Sequence, residues 1–124
     1  MLVPGVAAAI EELRQQFGES NVVCREDSEG GAFVGIEEVA LGSPALRTPT
    51  WLRFQIPFTY PTATIYPIYA RADLLAPGVS HPAIQVVDYE GGRASQLSRR
   101  SPEGASETAA LKLLKVIDWL EKIR

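Results

Sequence analysis

The chain has 124 residues, which fits a single domain (residues 1–124) that can bury a core without disulfides or metals. Hydrophobic residues make up 46% and charged residues 22%, close to the averages for globular proteins, so the composition argues against a disordered chain and against a membrane protein. The formal net charge of −3 argues against a nucleic-acid partner, because neutralising phosphates requires a concentrated Lys/Arg surface.

The first predicted elements are a helix and a β-hairpin. Residues 5–17 carry apolar side chains at three- and four-residue steps, which predicts an amphipathic helix, and Gly18 is a typical stop. A strand is predicted over 21–27, because it contains neighbouring β-branched valines. The polar, glycine-rich residues 28–31 then favour a turn, which makes 32–41 the partner strand.

The next predicted elements complete a four-stranded sheet. Apolar and polar residues alternate over 51–56, as expected for a half-buried strand. A fourth strand is predicted over 64–71, although Pro67 confines it to an edge or a bulge. The connections are too short for parallel crossovers, so the strands form an antiparallel meander. Residues 72–104 are rich in Gly and Pro and predict a long irregular segment with a short extended piece at 84–89.

The last predicted element is a helix over residues 106–123, where Ser106 can cap the free N–H groups of the first turn. The fold class is therefore α+β, with a helix, a four-stranded antiparallel meander, a long irregular segment and a closing helix. The predicted buried stripe of the closing helix consists of Leu113, Leu114, Val116, Ile117 and Leu120.

The sequence contains few residues that could support redox or metal chemistry. Cys24 is the single cysteine, and its place in the first strand predicts a buried structural residue. With one histidine and no ligand-spaced cluster, no metal is expected. The isolated Gly pairs are typical of turns, so no phosphate-binding cofactor loop is expected either. The N-terminal residues lack the features of a signal peptide, and we expect a cytoplasmic protein.

Two short motifs give the chain a resemblance to a known family. Phe58-Thr59-Tyr60-Pro61 follows the third strand, and His81-Pro82-Ala83 lies further on, within the irregular segment. Together with the order of elements, they resemble the Tyr-Pro flap and the His-Pro-Asn element of the ubiquitin-conjugating enzymes. Two departures are evident, because Thr64-Ile65 replaces a pair of prolines and alanine replaces the asparagine. The chain is similar to a minimal, prokaryotic-type member of this superfamily.

The resemblance implies acyl transfer. Family members carry the acyl group of a ubiquitin-like protein on a cysteine that lies beyond the His-Pro-Asn element, and the comparison places Ser95 at that position. Ser95 would form an oxyester in place of a thioester, with Ser98 and Ser101 as competing hydroxyls. A serine hydroxyl is protonated at neutral pH and needs a base. His81 is the one histidine that can supply it, although in the family this histidine shapes the loop.

Three interpretations remain open. The first is an active carrier in a bacterial conjugation pathway, with an activating-enzyme-like protein and a ubiquitin-like protein as partners. The second is a catalytically inactive variant that binds the ubiquitin-like protein, which the loss of the cysteine and the asparagine favours. The third is an unrelated RWD-like interaction domain. In the carrier, Asp88 and Glu90 are alternative carboxylate partners, and Arg99-Arg100 is a candidate contact for an acidic surface.

Overall fold

The computed structural model describes residues 1–63, 65–98 and 107–124. Among these residues the chain forms two α-helices, a 3₁₀ turn at Glu19–Asn21 and six strands, all paired antiparallel in one sheet of spatial order β1-β2-β3-β4-β6-β5. Neither helix of the described chain has the length and apolar character that a membrane span requires. The elements are α1 (Pro4–Phe17), β1 (Val22–Glu26), β2 (Ala32–Val39), β3 (Thr50–Ile56), β4 (Ile68–Ala70), β5 (Ile84–Tyr89), β6 (Gly92–Leu97) and α2 (Ala109–Glu121).

The core lies between the two helices and one face of the sheet, here called the inner face. Helix α1 has Pro4 in its first turn, where the missing N–H is harmless, and it ends at Gly18, whose φ of 98° suits glycine. The strands alternate, so that Leu52, Phe54 and Ile56 of β3 point into the core. The same alternation directs every second strand residue to the opposite, outer face of the sheet, which neither helix covers.

The turn between β1 and β2 is built around one carboxylate. Asp27 accepts hydrogen bonds from the backbone N–H groups of Glu29 at 2.9 Å and Gly31 at 3.0 Å, and from Nε2 of Gln55 at 2.9 Å. These bonds, with the backbone of Glu29 contributing most, hold the pKa of Asp27 below its ordinary value. An ionised side chain that satisfies two backbone donors fixes the hairpin predicted from the glycine-rich segment.

The prediction of a four-stranded sheet is wrong, because the segment predicted as irregular contains a second hairpin. Strand β5 matches the short extended piece, and β6 pairs with it along its whole length. β6 also pairs with β4, which extends the sheet to six strands. Strand β4 begins after Pro67 and is shorter than predicted, whereas residue 64 lies outside the described part of the chain.

The closing helix is confirmed, but two of its details differ from the prediction. The predicted cap Ser106 lies outside the described residues, and the hydroxyl oxygen of Thr108 accepts a bond from the N–H of Leu111 instead. The prediction that Leu114 is buried is wrong, because 39% of it is exposed. Its neighbour Leu113 is fully buried and Lys112 is also buried, so the buried stripe lies on the Lys112 side of Leu113 and not on the Leu114 side.

Candidate functional site

The predicted nucleophile does not lie in an irregular segment or a loop. Ser95 is inside β6, where it pairs with Ala70 on one side and with Val86 on the other. It is 1% exposed, and its hydroxyl donates to the carbonyl oxygen of Ala72 at 3.3 Å. The predicted loop position is therefore wrong. A hydroxyl held between two paired strands on the inner face cannot meet the chain terminus of a second protein unless β6 detaches.

The predicted base has its own structural partners. Nδ1 of His81 accepts a hydrogen bond from the N–H of Ala83 at 3.1 Å, and the ring packs edge-on against Trp119 of α2 with centroids 5.3 Å apart. Nδ1 is therefore engaged within the residue's own turn. His81 and Ser95 share no hydrogen bond, although both are described. The geometry supports the role of His81 in shaping the turn before β5.

The other predicted side chains are also dispersed. Asp88 and Glu90 lie at the far end of the β5–β6 hairpin, where Oε1 of Glu90 is 3.5 Å from Nη2 of Arg25. Ser98 follows β6, and its N–H donates to the carbonyl oxygen of Ala83 at 2.8 Å. Arg99, Arg100 and Ser101 lie outside the described residues.

The cysteine is placed in the predicted strand but not in the predicted environment. Cys24 lies in β1, yet the prediction that it is buried is wrong, because it is exposed. Its Sγ is 3.8 Å from Nη2 of Arg14. The reason is topological: β1 is an edge strand, and Val22 is its one buried residue.

The outer face of the sheet brings together aromatic and basic side chains that the sequence prediction did not connect. Successive strands contribute one or two residues each, and these stand opposite the core residues in the alternation of their strands. One signal was present in β3, where tryptophan and arginine occupy the polar positions of the alternation. The group on this face consists of Phe33, Trp51, Arg53, Tyr69 and Tyr89.

The rings of the outer face contact one another and hold two guanidinium groups. Tyr89 lies 4.3 Å from Tyr69 and 6.3 Å from Trp51, measured between ring centroids. Arg53 lies over the Trp51 ring at 4.3 Å from its centroid, and Arg25 lies over Phe33 at 4.8 Å. Such distances are within the range in which a cation is attracted by the negative face of a ring. The outer face is thus an ordered surface whose rings are braced from several strands.

One cavity on this face is mainly aromatic, and we call it the aromatic slot. It has a volume of about 300 Å³. Burial raises the pKa of Tyr89, and the charge of Glu90 raises that pKa further, so the phenol stays protonated at neutral pH. Among the described residues that line the slot, Glu90 alone carries a charge. The residues that line the slot include Phe33, Gln55, Tyr66, Tyr69, Tyr89 and Glu90.

Comparison with known proteins adds no neighbour to these observations. No protein-family model, curated protein or solved structure matches the chain.

Proposed function

We propose that the chain is a catalytically silent binding module with a ubiquitin-conjugating-like layout, which holds a ubiquitin-like protein non-covalently within a conjugation pathway. The layout supports this proposal, since α1 precedes a β1–β4 meander and α2 closes the described chain. The flap residue Tyr60 also has a structural role, because its hydroxyl oxygen accepts a bond from the N–H of Ala109 at 3.0 Å. The flap is thereby attached to the start of α2.

The observation that carries the proposal is the burial of Ser95. An acyl carrier must expose its nucleophile to two macromolecules in turn, first to a donor and then to an acceptor. A hydroxyl that is 1% exposed, bonded to a carbonyl oxygen and not hydrogen-bonded to the one histidine lacks both access and activation. These features favour binding over catalysis.

The outer face is the surface proposed for binding. It is rich in tryptophan, tyrosine and arginine, the residue types that dominate binding energy at protein interfaces. Its rings are held by mutual contacts, so little side-chain freedom remains to be lost on binding. We expect Trp51 and Tyr69 to contribute most, because they lie at the middle strands of this face.

One reconstitution tests the proposal. The chain is incubated with ATP and with the activating enzyme and ubiquitin-like protein of the genome that encodes it, and adducts are sought on denaturing gels with and without thiol or hydroxylamine. Non-covalent binding is measured in parallel by titration calorimetry. We expect binding without an adduct, weakened at least roughly tenfold in Trp51→Ala by loss of an interface aromatic. Phe58→Ala is the control, since Phe58 is 51% exposed but lies outside the outer face.

The other outcomes of the reconstitution contradict the proposal in distinguishable ways. A thiol-resistant adduct that is lost in Ser95→Ala would restore the carrier function through an oxyester. A thiol-sensitive adduct that is lost in Cys24→Ser would place the acyl group on the exposed thiol of β1. Absence of both binding and adduct would leave an RWD-like interaction domain without a conjugation partner.

A further inference from the structure

The aromatic slot carries an inference about the chemistry of the partner. We propose that the slot receives one cationic side chain, lysine or arginine, from a basic segment of a protein partner. This inference rests on the proposed role as a binding module, but it does not depend on the partner being a ubiquitin-like protein. Its basis is the composition of the slot, the charge at its rim and the way that the same face already holds cations.

The lining of the slot suits a cation with an alkyl stem. Five aromatic residues contribute to it from β2, β3, β4, β5 and the segment before β4. Aromatic faces attract an ammonium or guanidinium group through their quadrupole, and they also cover the methylene groups of a long side chain. A cavity of about 300 Å³ admits one such side chain. A neutral apolar side chain would gain only the second of these contributions.

The one charged residue that lines the slot has the sign that a cation requires, and it is only partly engaged by a neighbouring arginine. The carboxylate of Glu90 lies at the rim, and no described lysine or arginine lines the slot. Arg25 approaches Glu90 at one oxygen only and at 3.5 Å, which is long for a charged hydrogen bond, so the carboxylate keeps capacity for a second donor. Behind the slot, Gln55 is hydrogen-bonded to Asp27, an ionised carboxylate. The chain as a whole is also negative, at −3.

The outer face supplies an internal example of the proposed contact. Arg53 rests on Trp51 and Arg25 rests on Phe33, so two of its rings already bind guanidinium groups. Tyr69 and Tyr89 contact each other, but no cation lies over either ring among the described residues. These tyrosines line the slot beside Glu90. A partner's cation would therefore repeat, on the tyrosine pair, an interaction that the face already makes twice.

A phosphate-bearing partner is the main competing occupant, because aromatic rings on an open sheet also stack nucleic-acid bases. The charges of the described slot residues disfavour a phosphate-bearing partner. Base stacking on such platforms is accompanied by Lys and Arg that follow the phosphates, whereas the one charged residue lining the slot is Glu90, and Arg25 and Arg53 of the same face already rest on rings. Nucleic acid is retained as an outcome of the test.

The test uses the full chain and terminally blocked pentapeptides of sequence Gly-Ser-X-Ser-Gly, where X is arginine, citrulline, lysine or norleucine. Binding is followed by amide chemical shifts of the ¹⁵N-labelled protein. We expect the arginine and lysine peptides to bind with dissociation constants on the order of millimolar and to shift the amides of Tyr69, Tyr89 and Glu90. Citrulline and norleucine, which keep the length but lose the charge, should bind at least roughly fivefold more weakly.

Variants assign the effect to the slot. Glu90→Gln and Tyr69→Leu should each weaken the arginine peptide roughly three- to tenfold. Glu11→Gln and Phe58→Leu are the matched controls, one removing an exposed acid and the other an exposed ring elsewhere, and they should leave the affinity unchanged. Unfolding midpoints of all four variants check that the fold is retained. Equal affinity for arginine and citrulline, or no saturable shifts at the slot, overturns the inference.

The two proposals fail separately. If the arginine peptide binds the slot but the ubiquitin-like protein does not bind the chain, the inference stands and the proposed partner is wrong. If the ubiquitin-like protein binds while no cationic peptide shifts the slot, the inference falls alone. Tight binding of an oligothymidylate at the slot, in place of the cationic peptides, also overturns it.

Discussion

Burial of Ser95 makes a quantitative prediction about thiol reactivity. In a Cys24→Ser background, Ser95→Cys places a single thiol inside β6, where the serine is 1% exposed. Val86→Cys is the matched control, because Val86 is the direct register partner of Ser95 on the edge strand β5 and is 47% exposed. Reaction at position 95 requires β6 to open, and β6 is hydrogen-bonded to strands on both sides.

The size of the difference follows from the opening free energy. If β6 opens only with global unfolding, which costs about 5 kcal/mol or more for a domain of this kind, the thiol of the Ser95→Cys variant is protected roughly 5,000-fold relative to the thiol of the Val86→Cys variant. The assay is the rate of reaction with an aromatic disulfide reagent, measured spectroscopically in native buffer and again in urea, where the two thiols should react equally. A protection below roughly tenfold, with an unchanged unfolding midpoint, would refute the burial of this position and revive the carrier function.

Three further predictions concern stability and are checked by urea denaturation. Gly31→Ala should destabilise the fold by roughly 2–3 kcal/mol, because the added Cβ would lie 2.5 Å from a backbone carbonyl oxygen of β3. Gly78→Ala is the comparison: its φ is 81° but the added Cβ meets no atom within 4 Å, so it should cost only about 1 kcal/mol. Thr108→Ala and Tyr60→Phe each remove an acceptor from the first turn of α2 and should each cost about 1 kcal/mol. The pKa of Asp27 is lowered on folding from its ordinary value of 3.8, so ionised Asp27 stabilises the fold above that pH and this stabilisation is lost as the pH falls below it. The difference in unfolding free energy between wild type and Asp27→Asn should therefore become smaller below about pH 4. A difference that stays constant down to about pH 2.5 would contradict this assignment.

The sequence predicted those parts of the fold whose signal is local. Helix α1 has both a clear apolar period and a glycine stop, and β3 has an unbroken alternation, so both appear where expected. Strand β6 has neither signal. Its sequence, residues 92–97, contains no β-branched or aromatic residue, and it is a strand because β4 and β5 supply hydrogen-bonding partners on both sides. Tertiary context of this kind is invisible in a single sequence.

The errors at the candidate site share that origin. Cys24 was predicted buried from its strand, but whether a strand lies at the centre or the edge of a sheet depends on the pairing order of all six strands. The resemblance assigns Ser95 to the cysteine position only if residues 72–104 are irregular, whereas strand pairing puts this residue inside β6. The aromatic group of the outer face was missed because its members are widely separated in sequence, from Phe33 to Tyr89, and meet only through strand order.

A single element determines both the burial of Ser95 and the formation of the aromatic slot. The β5–β6 hairpin joins the sheet along β4, and this pairing places Ser95 between two strands, which removes its hydroxyl from solvent. The same hairpin carries Tyr89 and Glu90 at its far end and brings the Tyr89 ring against Tyr69 and Trp51. An active carrier would have to detach this hairpin to expose the hydroxyl, and detachment would dismantle the aromatic slot. Exposure of Ser95 and an intact slot are therefore mutually exclusive. A chain that binds a partner through the slot cannot at the same time carry an acyl group on Ser95.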